Sequence, residues 1–211
     1  MKGIEELVRE GTAQREDCYC CKESRLAAGK KTEYGSVVVF RIGKGATDGW
    51  FATLSPKTGG DPEKDFTLQL MPFGHLTHFS QMALYPELAK NYGIAFSRLC
   101  NAMATVMAKQ EKEFGPTAES RETAVSIATY GKCTNWVEKK EHLHVKIFPF
   151  RGNTGQPYTV DSSFGKKKIF TDSETGERFV KMDPVNKAEI PEKRLDALSA
   201  GIIATLSGGK K

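Results

Sequence analysis

Short apolar runs and period-two stretches fill the first 80 residues, and helical periodicity takes over after them. Residues 4–10 (IEELVRE) are amphipathic and predict a short leading helix. Ser36–Ile42 (SVVVFRI) reads as a buried strand, ended by the glycines of GKGATDG. Trp50–Leu54 (WFATL) is a second strand, closed by Ser55 and Pro56. Phe66–Met71 (FTLQLM) alternates with period two and is a third, which Pro72 stops. A long helix then starts near Pro86, a residue suited to a first helical position. Leu88, Tyr92, Ala95, Phe96, Leu99, Ala102, Met103 and Val106 recur three and four apart and form one apolar stripe. Gly115-Pro116 ends it, and Thr123–Tyr130 (TAVSIATY) is a fourth strand. From about Gly152 the chain turns polar, with a hairpin around DSETGERF and a last helix near Pro191–Leu206. Strands, one long helix and more strands on short connections predict an α+β fold, an antiparallel sheet with the helix on one face. Residues 1–151 form the domain and 152–211 a C-terminal extension.

Glu141–Phe150 (EHLHVKIFPF) closes the sheet and carries the first candidate chemistry. On a strand, Leu143, Val145 and Ile147 form one apolar face. His142, His144 and Lys146 line the other, roughly 6–7 Å apart for neighbours two residues on. Two imidazoles beside an ammonium suit an anion or a metal. The chain has four histidines, and the other two, His75 and His78, also stand together, in LMPFGHLTHF. In a helical turn those two would share a face.

Composition narrows the classes. The 211 residues are 39% apolar and 27% charged, ordinary for a globular protein. Lys and Arg number 31 against 26 Asp and Glu, and the net charge of +5 is compatible with phosphorylated small molecules but too small to argue for nucleic acid by itself, which is not expected as a partner. No run approaches the roughly 18–20 apolar residues of a membrane span, and the start is no signal peptide, so a cytoplasmic location is expected.

Five cysteines, three of them crowded at Cys18, Cys20 and Cys21, make a poor disulfide framework. In a reducing compartment they read better as metal ligands. Cys18 and Cys21 have the spacing that lets two thiolates reach one zinc from a tight turn, with two ligands still to come from elsewhere. Cys100, on the long helix, reads as a small core residue.

Together these pieces resemble the histidine triad superfamily. The strand pattern from His142, the apolar–Pro–x–x–His element Met71-Pro72-Phe73-Gly74-His75 and the early Cys pair follow its order over about residues 15–151. The layout is similar to zinc-bearing hydrolases of that superfamily and to its galactose-1-phosphate uridylyltransferase branch. The resemblance implies a zinc on Cys18, Cys21, His75 and His142, and His144 as a nucleophile toward the α-phosphorus of a nucleotide or nucleotide-sugar. Water, phosphate or a sugar phosphate would then resolve the nucleotidyl-histidine. Lys146 stands where the family has His or Gln, and as a point charge it can still meet a phosphate. The loop before the strand departs too: Tyr130-Gly131 replaces Asn-Gly, and Glu138-Lys139-Lys140-Glu141 replaces a small polar segment. Lys139, Lys140 and Asn135 are its candidate substrate-binding residues. A homodimer is implied as well. Two alternatives stand beside this: a protein that binds zinc and nucleotide without turnover, and a hydrolase that puts His142 and His144 on one catalytic zinc.

Overall fold

The chain was analysed as a computed structural model, which describes residues 12–59, 61–110, 125–130, 142–149, 167–176, 178–182 and 187–208. Strand β1 (Val37–Ile42) runs antiparallel to β2 (Trp50–Leu54), with a bulge between Val38 and Phe40. β2 pairs with β4 (Leu68–Pro72), β4 with β6 (His144–Pro149), and β6 with β5 (Val125–Tyr130). The result is a five-stranded antiparallel sheet in the order β1-β2-β4-β6-β5. Together with its helices this is the α+β architecture that the periodicities predict. The third strand starts at Leu68, two residues later than the pattern puts it, and ends with Pro72. Pro72 is in register with Trp50, a position where its missing N–H costs little.

Period two sorts the side chains of β2, β4 and β6. Trp50, Ala52, Leu54, Leu68, Leu70, Val145 and Ile147 all enter the main core. Over them lies helix α2 (Pro86–Gln110), which buries Leu88, Ala95, Leu99, Ala102, Met103, Val106 and Met107, most of the predicted stripe. Trp50 ties the layers together, because its indole N–H donates to the Leu88 carbonyl at 2.9 Å. The predicted end of this helix, Gly115-Pro116, lies outside the described residues, as does the leading helix at 4–10.

The last helix, α3 (Glu192–Ser207), sits where the sequence puts it and packs on α2 and β1. Its Leu195, Leu198, Ile202 and Leu206 belong to the same core as the sheet. Just before it, β9 (Ala188–Glu189) pairs with β3 (Lys57–Thr58), bringing the chain back beside the end of β2. The predicted hairpin is β7 (Lys167–Thr171) and β8 (Arg178–Met182), turned by Asp172 and by Gly176 at φ +70°. No helix among the described residues is long and apolar enough to cross a membrane.

Candidate metal centre

Four side chains converge where β4 leaves the sheet and β6 enters it. Cys18, Cys21, His75 and His142 are all buried, and their donor atoms lie within 4.8 Å of one another. Each comes from a segment with its own reason to be there.

The thiols come from a tight turn. Cys18 caps the five-residue helix α1 (Tyr19–Glu23), and Lys22 N–H donates back to its carbonyl at 3.1 Å. Ser24 closes the turn, its hydroxyl donating to the Cys21 carbonyl at 2.7 Å. Arg41 of β1 then grips the far side, donating to the carbonyls of Ser24 and Leu26 while its guanidinium lies 4.4 Å from the Phe73 ring centre.

His75 belongs to the loop leaving β4. Its N–H donates to the Thr12 carbonyl at 2.9 Å, and the Phe73 N–H donates to the Gly49 carbonyl at 2.8 Å. The fit is close enough to require glycine at 74, since a Cβ there would stand 2.7 Å from the carbonyl oxygens of both Thr12 and Ala46. His78 takes no part. It is exposed at the start of a 3-10 helix (Phe79–Leu84), and its N–H donates to the Gln81 side chain at 2.9 Å.

His142 lies before β6 and not within it, where the strand pattern puts it. The Leu143 N–H donates to the Leu76 carbonyl at 2.6 Å and so fixes this segment to the β4 exit loop. The His142 ring is oriented by Nε2, 3.1 Å from the Pro72 carbonyl. A carbonyl only accepts, so Nε2 carries the proton and Nδ1 presents a lone pair to the thiols. A hydrogen-bonded far nitrogen of this kind is the usual support of a metal-binding imidazole.

The spacing suits a tetrahedral ion. Zn–S near 2.3 Å and Zn–N near 2.0–2.1 Å at tetrahedral angles set S···N edges of about 3.5–3.6 Å. Here Cys18 Sγ to His142 Nδ1 is 3.4 Å, Cys21 Sγ to His75 Nδ1 is 3.7 Å, and Cys21 Sγ to His142 Nδ1 is 3.8 Å. Two thiols and two imidazoles form a common structural zinc set. Hydrogen bonds from Cys20 and Cys21 hold Cys18 well below the usual thiol range. Cys21 is held well above it, because it keeps the proton it shares with Cys18 and because it is buried. A dication held by these four residues would take that proton's place and keep both as thiolates. Cys20 is outside the four-donor group and packs against Phe51, Met71 and Phe73.

His144, the next residue but one, opens β6 on the sheet face turned away from α2. Its Nδ1 lies 3.1 Å from the carbonyl of His142, so Nδ1 is the donor and Nε2 keeps its lone pair. Burial, above all, lowers the pKa of this imidazole to about 4, helped by the charge of Lys146 against that hydrogen bond. Lys146 shares the face, and each of the two is 6% exposed. Lys139, Lys140 and Asn135 lie outside the described residues. Sequence reasoning missed the clamps, Thr12 and Arg41, since a backbone carbonyl and a lone arginine leave no pattern. No family model, curated protein or solved structure matches this chain.

Proposed function

We propose that this chain is a histidine-triad-like nucleotide hydrolase or nucleotidyltransferase, with zinc as a structural ion and His144 as the nucleophile. One contact carries the proposal: the Nδ1–H of His144 donates at 3.1 Å to the carbonyl of His142, a residue of the metal cluster. The hydrogen bond fixes the tautomer that leaves the lone pair on Nε2 and prevents the ring from flipping, which is how a third group orients a reacting base. Cys18, Cys21, His75 and His142 would hold the ion, which fixes the entry of β6 and supplies no chemistry to the substrate.

The chain's own residues then act in two steps. The Nε2 lone pair of His144 attacks the α-phosphorus, and the bond to the bridging oxygen breaks with its electron pair leaving on that oxygen. Lys146, one position on along the same face, offsets charge on the phosphoryl oxygens. Water or a phosphorylated acceptor next attacks the phosphorus, the P–N bond breaks, and the pair returns to Nε2. Four protein donors leave no place for a metal-bound water. That favours this proposal over a hydrolase with His142 and His144 on one catalytic zinc.

Incubating the protein with a small nucleotide panel and analysing acid-sensitive adducts by mass spectrometry tests it. An adduct of one nucleotidyl unit on a histidine is expected with at least one member. Tight binding of every ligand tried, with no adduct and no product, would make this a binding protein instead.

A further inference from the structure

The face of the sheet that carries His144 is apolar at one level and polar at the next. Phe51 and Met71 are in register on β2 and β4, and both are buried beside the metal end. One level further in, Thr53 of β2 pairs with Gln69 of β4, and Gln69 pairs with Lys146 of β6. Side chains directly opposite on neighbouring strands have Cβ atoms about 4.5–5.5 Å apart, so these three form a continuous polar row across the middle of the sheet. Thr53 is 1% exposed and Lys146 6%, and Gln69 is the half-buried position of an otherwise buried strand. A hydroxyl, an amide and an ammonium thus stand side by side on a face whose neighbouring level is apolar.

The row is also well placed. Lys146 lies two residues along β6 from His144, roughly 7 Å away on the same face.

We propose that Thr53, Gln69 and Lys146 form a subsite for the phosphate next to the one under attack, which presupposes the nucleotidyl-histidine chemistry above. With the α-phosphorus at Nε2 of His144, a second phosphate falls over this row. As the bridging P–O bond breaks, its electron pair stays on the departing phosphate. The Gln69 amide and the Thr53 hydroxyl donate to that group's oxygens, and Lys146 balances its charge. Gln69 and Thr53 therefore select leaving groups that carry phosphate.

Two probes of one base separate the cases: a nucleoside diphosphate, and a nitrophenyl ester of the nucleoside monophosphate, whose leaving group has no phosphate. Single-turnover adduct formation is measured with each, in wild type, Gln69→Leu and Thr53→Val, after checking metal content and melting. The expected result is slowing by roughly 10–100-fold with the diphosphate and little change with the nitrophenyl ester. Equal slowing with both, or none with either, overturns the subsite while leaving the nucleophile in place. No adduct from either probe in wild type overturns the nucleophile and the subsite with it. If Gln69→Leu fails to fold, Gln69→Glu keeps the side-chain size, sets a carboxylate beside Lys146, and is expected to slow the diphosphate selectively.

Discussion

Three neighbouring thiols and two neighbouring histidines are given distinct jobs by one or two atoms each. Cys18 and Cys21 face His142 and His75 at 3.4–3.8 Å, while Cys20 packs into a small apolar cluster. Cys18→Ala is therefore expected to lose the metal and Cys20→Ala to keep it. Elemental analysis decides, and metal retained in the first but lost in the second would refute the ligand set. His142→Asn is expected to lose metal and stability together, because a structural site contributes folding energy. For Lys146, removal of its charge by Lys146→Gln is expected to slow adduct formation by roughly 10–1000-fold in single-turnover kinetics. An unchanged rate would leave that lysine without a part in the chemistry. The Cys-x-x-Cys spacing made Cys18 and Cys21 legible in the sequence, whereas His75 and His142 were singled out from the four histidines only by the resemblance to the histidine triad superfamily. Gln69 and Thr53 were not legible, because only strand register places them beside Lys146.

At the scale of elements, the sheet and its helix follow from periodicity, since alternate residues of β2, β4 and β6 enter the main core and α2 buries one stripe. Local pattern is strong enough there to survive packing. Loops are another matter. The β4 exit loop holds His75 through backbone contacts to Thr12 and the close approach at Gly74, neither of which leaves a periodic signal. Gly74→Ala is expected to push this loop off its two carbonyl neighbours and weaken metal retention, measured by competition with a chelator. Retention equal to wild type would show that the loop gives way without moving His75. Strand boundaries also moved where side chains had other work: His142 leaves the strand pattern because its Nε2 meets the Pro72 carbonyl. Helix α3 offers an independent check on the core. Leu198 is fully buried, so Leu198→Ala is expected to cost about 2–5 kcal/mol in denaturant unfolding without altering metal content.

Across the whole molecule, the cluster joins segments that the chain keeps far apart: the α1 turn, the β4 exit loop and the entry to β6. An ion there links 124 positions of sequence between Cys18 and His142 and anchors the strand that carries His144. A ligand at a thousand times its dissociation constant stabilises the folded state by about 4 kcal/mol. At this chain length that corresponds to a fall in Tm of at least about 8 °C when a chelator strips the ion. The central claim is the division of roles between His142 and His144, and native mass spectrometry reads both roles in one spectrum. After exposure to a reactive nucleotide, wild type is predicted to carry one zinc and one nucleotidyl unit, and His144→Asn to carry the zinc alone. A nucleotidyl unit persisting on His144→Asn, or zinc lost from it, would contradict the account.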